Sequence, residues 1–285
     1  MNIVYLNGEF CPDTQACVSV LDRGFIFGDG VYEVIPAYNG KLFRLAEHLQ
    51  RLQNNLDAIR IRNPHSLSQW GELLGELINQ NLDNSDTGHF SVYLQVTRGV
   101  AKRDHALPPN TEPTVFAMAN PLQPPTKDDL QKGIKAITTD DYRWRNCQIK
   151  AISLLPNVLL RQLAIDEGAS ESILIRDGFA TEGAASNVFI VENQKLVTPP
   201  KGPFLLPGIT RDLILELAAE NGIPYEETNI SAERLFDADE IWTTSSTKEI
   251  LPVTLLDNKT VGSGSPGPLW SKMVDIFQFF KQSHS

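Results

Sequence analysis

Hydrophobic and polar positions along this 285-residue chain switch between two periods, and each switch predicts an element. Residues 2–6 read as a strand that stops at Asn7-Gly8, and residues 31–38 run to Asn39-Gly40 before 41–43 resume. Asn-Gly between two strand-like runs is the short-range signature of a hairpin. The period then lengthens. Residues 45–59 and 67–82 carry apolar side chains at helical spacing, and Ser66 with Gln69 three positions on has the spacing of a capping box. Residues 90–97 and 114–119 are rich in β-branched and aromatic side chains and predict strands. Asn120-Pro121-Leu122-Gln123-Pro124-Pro125 cannot continue either pattern and predicts a linker.

The second half mixes the two periods. Helices are predicted over 126–132 before Gly133, over 155–167 before Gly168, and over 212–221 before Gly222 and Pro224. Strand-like runs recur at 134–139, 172–176, 187–191, 240–243 and 253–256. Hairpins dominate the start and helices are interspersed later, so the expected class is α+β (mixed α/β) rather than a long βαβ series. The expected division is a smaller N-terminal α/β domain over 1–120, a proline-rich linker over 121–125, and a larger C-terminal domain over 126–285.

Charge narrows the partners. With 25 basic and 35 acidic residues the formal net charge is −10, which disfavours nucleic acid or an anionic membrane surface and favours a small metabolite. No window approaches the roughly 18 uninterrupted apolar residues of a membrane span, and the N-terminal residues do not resemble a signal peptide, so a cytoplasmic location is expected. Three cysteines without a Cys-x-x-Cys pair give no disulfide framework, and the histidines lack partners at ligand spacing, so no metal is expected. Gly262-Ser263-Gly264-Ser265-Pro266-Gly267 matches a dinucleotide fingerprint letter for letter. Prolines crowd it and too little chain follows for a βαβ unit, so it is read as a surface loop.

Candidate chemistry collects elsewhere. Asp22 through Glu33 packs glycines, aromatics and charges into one stretch, which taken alone reads as a sharp turn leading into a strand. Lys150 lies in Gln148-Ile149-Lys150-Ala151-Ile152-Ser153, just before a predicted helix. These segments, with Glu47-His48-Leu49-Gln50-Arg51-Leu52, Thr97-Arg98-Gly99, Thr181-Glu182-Gly183-Ala184-Ala185-Ser186-Asn187, Leu206-Pro207-Gly208-Ile209-Thr210-Arg211-Asp212 and Thr244-Ser245-Ser246-Thr247-Lys248-Glu249-Ile250, resemble the fold-type IV pyridoxal-phosphate enzymes in order and spacing. Within them the resemblance is closest to the D-amino-acid aminotransferases, and it spans nearly the whole chain.

The resemblance implies pyridoxal 5'-phosphate as cofactor, held covalently by Lys150. A free lysine amine, with a pKa near about 10.4, is almost wholly protonated at neutral pH, whereas a lysine released beside the substrate can move the Cα proton as base and then acid. It further implies Glu182 as the acidic partner of the ring nitrogen, and Arg51, Ile209, Thr210 and Ser246 as phosphate ligands. Leu206 would be the apolar residue under the ring. Ile209 and Thr210 would act from a helix N-terminus, where backbone N–H groups favour an anion. Tyr32, Arg103 and His105 are implied to bind the substrate α-carboxylate, the last two across a subunit interface of a homodimer. Asp104 between them is expected to face solvent.

The implied reaction is ping-pong transamination of a D-amino acid such as D-alanine with 2-oxoglutarate, the substrates being small amino acids and 2-oxo acids. The alternatives on the same scaffold are an R-selective amine transaminase, a branched-chain L-amino-acid aminotransferase and an aminodeoxychorismate lyase. Outside enzymes, the alternative is a cofactor-binding protein without turnover.

Overall fold

The computed structural model describes residues 2–284, which form two compact units. One gathers the chain up to Gln123 together with Ile149–Ser153, and the other Pro124–Gln148 with the chain from Leu154 onward. The first contains β1 (Ile3–Leu6), β2 (Glu9–Pro12), α1 (Arg23–Phe27), β3 (Gly30–Tyr38), β4 (Lys41–Leu42), α2 (Leu45–Ala58), α3 (Leu67–Asn79), β5 (Phe90–Thr97) and β6 (Thr114–Pro121). Its sheet runs β2-β1-β6-β5-β3-β4 with every pairing antiparallel.

Both predicted hairpins form, and Asn7, Gly8, Asn39 and Gly40 all have the positive φ that such tight turns require. The capping box at Ser66 and Gln69 is present in both directions. Alternation along the strands sends Val31, Ile35, Ala37, Val92, Leu94, Val96, Val115 and Ala117 to one face, where they pack with Leu49, Leu52 and Leu56 of α2 and Trp70, Leu74 and Leu77 of α3. Each of these leucines contributes about 1.5–3 kcal/mol by burial. Glu33 lies between Val31 and Ile35 on the same inward face and is fully buried, whereas Tyr32 and Tyr93 face the other way and stack at 5.6 Å.

Two expectations change in this unit. The stretch read as a turn between Asp22 and Gly30 contains a short helix, α1, capped by the Asp22 carboxylate on the Gly24 amide and closed by Gly28 at φ 67. Five residues give too little periodicity to read from sequence. Lys150, read as part of the C-terminal domain, goes with the first unit. Its carbonyl accepts from the Tyr32 amide, Val31 bridges Ala151, and the Ile152 amide donates to Gly30, so residues 150–152 extend the sheet at the start of β3. Backbone pairing there outweighs position along the chain.

The second unit contains α4 (Lys127–Lys132), β7 (Ile134–Asp140), α5 (Leu155–Asp166), β8 (Glu171–Arg176), β9 (Phe179–Gly183), β10 (Asn187–Glu192), β11 (Lys195–Thr198), α6 (Ile209–Glu220), β12 (Tyr225–Glu227), β13 (Ile230–Ser231), α7 (Ala232–Asp237), β14 (Glu240–Ser245), β15 (Glu249–Leu256), β16 (Lys259–Thr260) and α8 (Pro268–His284). Its mixed sheet runs β12-β11-β10-β14-β15-β7-β8-β9-β13, with β16 on β15. Residues of β7, β8, β10, β14 and β15 share its core. The glycine-rich segment 262–267 is a turn between β16 and α8. Among the described residues no helix is long and apolar enough to cross a membrane.

Candidate active site

In the first unit the Lys150 amine lies 4.2 Å from the centre of the Tyr32 ring. Both side chains are half-buried, and both are set by the backbone pairing of residues 150–152 with the first residues of β3. A cation over a tyrosine face is an attractive arrangement that holds the amine in one place. Behind it, α2 turns His48 and Arg51 toward the sheet. The Arg51 guanidinium donates to Glu33 through Nε and Nη2, each at 2.8 Å, and the His48 ring nitrogen Nδ1 pairs with Glu33 Oε2 at 2.8 Å. Arg51 is therefore a buried, oriented cation. Burial alone would raise the Glu33 carboxyl, but Arg51 and then His48 outweigh it and hold Glu33 well below the usual carboxylate range. His48 is lowered by burial, with Glu33 opposing.

Arg103 and His105 lie on the exposed loop between β5 and β6, and both approach Phe27, each with 5.4 Å to the ring centre. Asp104 is exposed and its carboxylate accepts from the Ala106 amide at 3.1 Å.

In the second unit Glu182, at the end of β9, is buried and accepts from three donors. These are Arg143 Nη1 at 2.5 Å, the Leu206 amide at 2.9 Å and Asn187 Nδ2 at 3.2 Å. A carboxylate has about four acceptor positions, so a further donor can be taken. Burial raises Glu182 to about 7, since Arg143 and the Leu206 amide recover only part of the desolvation cost. A positively charged donor placed against it would draw out the ionised form. Arg143 is fixed in turn by Asp141, with Nε–Oδ1 at 2.9 Å and Nη2–Oδ2 at 3.0 Å. Cys147 is buried, its thiol donates to the Trp144 carbonyl, and burial pushes its pKa up, which makes it an inert thiol.

Asn187 links Glu182 to a second group of residues. Its amide also donates to the Leu206 carbonyl at 2.9 Å, and a Cβ on Gly208 would lie 2.0 Å from its Oδ1. Gly208 precedes α6 and gives it no side-chain cap, so the Ile209 and Thr210 amides at that helix end receive none. Across the sheet Asn187 pairs with Thr244 of β14, whose Oγ1 is buried without a partner among the described residues, and Ser246 follows two residues later. Uncapped amides, an approach open only to glycine and an orphaned hydroxyl suit an anion. The second unit thus gathers Glu182, Leu206, Ile209 and Thr210, while Lys150, Tyr32 and Arg51 belong to the first.

Sequence reading did not single out Glu33, Asn187, Arg143 or Asp141 for these positions. Glu33 had a signal, a charge on the apolar face of an alternating strand. Arg143 had none: Asp141 lies two residues before it, but its bond to Glu182 joins positions 39 apart.

The sequence profile of the amino-transferase class IV family matches residues 30–256. The chain is 45% identical over 275 residues to a D-alanine aminotransferase of Bacillus licheniformis, covering 96% of this chain and 95% of that one. It is 38% identical to a D-alanine aminotransferase of Staphylococcus haemolyticus over the full length of both. The structure of a branched-chain amino acid aminotransferase from Escherichia coli superposes with a TM-score of 0.86 at 28% identity, covering 100% of this chain and 94% of that one. Another, from T.th. and in complex with N-(5'-phosphopyridoxyl)-L-glutamate, shares the fold at a TM-score of 0.89 and 24% identity, covering 99% of this chain and 95% of that one. With the profile spanning both units and full-length relatives at these identities, the chain belongs to the class IV, fold-type IV, aminotransferase family.

Proposed function

We propose that this protein is a pyridoxal-phosphate-dependent D-amino-acid aminotransferase, a cytoplasmic homodimer that converts D-alanine and 2-oxoglutarate to pyruvate and D-glutamate by a ping-pong mechanism. The observation that carries the reading is the Lys150 amine held 4.2 Å from the Tyr32 ring, in a chain with full-length D-alanine aminotransferase relatives. When bound, pyridoxal phosphate supplies an electron sink for charge developing at the substrate Cα and a carrier for the amino group.

The chain's own residues do the rest. Lys150 would hold the cofactor through its amine, and the same amine would take the proton from the substrate Cα as a base and give it up again as an acid. Glu182 would hold the ring nitrogen with the acceptor position that Arg143, Asn187 and the Leu206 amide leave open, and a positively charged donor there would favour its ionised form. Arg51, the Ile209 and Thr210 amides, the Thr210 hydroxyl and Ser246 hold the phosphate, and Leu206 offers apolar surface to the ring. The uncapped α6 terminus and the partnerless Thr244 hydroxyl support this assignment. Tyr32, Arg103 and His105 bind the α-carboxylate, which presents the Cα–H of a D-amino acid to the lysine.

A second copy is supported by α5, whose Leu155, Val158, Leu159 and Leu163 form an exposed apolar stripe while Leu160 and Ala164 are buried beneath.

The test is a half-reaction panel followed by cofactor absorbance, with D-alanine, L-leucine, an R-arylamine and aminodeoxychorismate offered separately. D-alanine is expected to convert the cofactor to its amino form. Conversion by L-leucine alone would overturn the carboxylate assignment in favour of the branched-chain L-specific alternative. Borohydride trapping and peptide mapping are expected to place the pyridoxyl label on Lys150.

A further inference from the structure

Arg103 and His105 sit on an exposed loop, where long side chains would ordinarily sample many orientations. The structure nevertheless gives the loop two attachments to the body of its own unit. Its base is tied by backbone, with the Arg23 amide donating to Gly99 at 2.9 Å and an antiparallel bridge between Asp22 and Val100. Farther along, the Arg23 guanidinium donates through Nη1 to the Asp104 carbonyl at 2.6 Å, at the residue between Arg103 and His105.

Arg23 is itself well anchored. It is 4% exposed, and its Nε donates to Asp29 Oδ2 at 2.7 Å. Asp29 also takes Arg98 Nε at 2.7 Å and Nη2 at 2.9 Å, and Arg98 reaches the Ile59 and Arg60 carbonyls beyond the end of α2. The loop carbonyl is thus connected to the frame of the unit through one guanidinium. Phe27 completes the arrangement at the end of α1. The Arg23 guanidinium lies 4.8 Å from its ring centre, that of Arg103 5.4 Å, and the His105 ring 5.4 Å at 44°.

We propose that Arg23 and Phe27 are positioning residues for carboxylate recognition. Arg23 clamps the loop at the Asp104 carbonyl, and Phe27 seats the Arg103 and His105 side chains against one ring, so that both donors are ordered before substrate arrives. This rests on the reading of Arg103 and His105 as carboxylate ligands. Neither Arg23 nor Phe27 touches the reacting atoms; their effect passes through the loop, and pre-ordering shows in binding rather than in the proton-transfer step.

The experiment uses the holoenzyme and measures KM and kcat for D-alanine in Arg23→Lys, Phe27→Leu, Phe27→Tyr, Arg103→Ala, and the Arg23→Lys and Phe27→Leu changes each combined with Arg103→Ala. Lysine keeps the charge but lacks the fork that reaches Asp29 and the Asp104 carbonyl together. Arg23→Lys and Phe27→Leu are each expected to raise KM about 10-fold with kcat within about threefold, the order of one charge-assisted hydrogen bond. Phe27→Tyr keeps the ring and is expected to retain the parent KM. In the Arg103→Ala background each substitution is expected to raise KM by clearly less than in the parent, because one of the two side chains they position is gone. Cofactor absorbance per subunit and thermal midpoints are read on every variant.

If Arg103→Ala raises KM but the other two leave it unchanged, lower kcat alone, or simply add to it, the positioning role is wrong and the carboxylate assignment stands. If Arg103→Ala itself leaves KM unchanged, the carboxylate assignment is what fails, and the positioning role with it.

Discussion

Glu33 and Glu182 are both buried carboxylates, and their neighbours move them in opposite directions. Glu33 meets Arg51 fork to fork with His48 beside it, and these partners outweigh its desolvation. Glu182 meets Arg143, which Asp141 already neutralises in part, so desolvation dominates and raises it to about 7. The folded-state value lies above the ordinary 4.5, so between those pH values the folded protein holds a proton that the unfolded chain has released. Stability contributed at this site is therefore present below about pH 4.5 and lost as pH rises toward about 7. In cofactor-free protein, urea midpoints between pH 4.5 and pH 7 are expected to fall more for the parent than for Glu182→Gln. An equal fall in both would mean that burial does not govern this carboxyl. At this scale flanking residues singled out Lys150 and Glu182 as candidates but not Arg143 or Asn187, whose bonds to Glu182 and to the Leu206 carbonyl span 39 and 19 positions.

At the scale of elements, local chemistry set most boundaries. Asn-Gly turns placed two hairpins, Ser66 and Gln69 opened α3, and Gly133 ended α4, each through a backbone or capping requirement visible in a few residues. Helix α6 was less legible. Its periodic stretch suggested a start at 212, but it begins at Ile209, and those extra residues supply the amides offered to an anion. Gly208, the residue before it, has φ −71, which any residue can adopt, so its glycine answers a packing need and not a conformational one. Alanine there would place its Cβ 2.0 Å from Asn187 Oδ1. Gly208→Ala is expected to cost about 1–3 kcal/mol by overpacking and to weaken cofactor binding by displacing Asn187 from Glu182. Thermal melts and cofactor titration of the same protein check both effects, and a variant with unchanged affinity would separate Gly208 from the anion site.

At the scale of the whole molecule, the α5 stripe carries the proposal of a second copy. Val158 is 60% and Leu159 50% exposed on a face with apolar neighbours at Leu155 and Leu163. Leu159→Asp is expected to yield a monomer at micromolar concentration by sedimentation velocity, with D-alanine turnover falling alongside, because Arg103 and His105 are assigned across the subunit boundary. A dimer that survives the charge would place the boundary elsewhere. By itself the sequence determined the mixed α/β class, the hairpins, most helices and the run of motifs that marks the family. These depend on periodicity, turn residues and short-range spacing, which are properties of neighbouring positions. Tertiary structure alone decided that residues 149–153 join the first unit along β3, that Arg51 turns inward to Glu33, and that Asn187 ties Glu182 to the start of α6. Each of those results rests on strand pairing, burial or hydrogen bonding between different elements, and the energy of such contacts is not written in any local pattern.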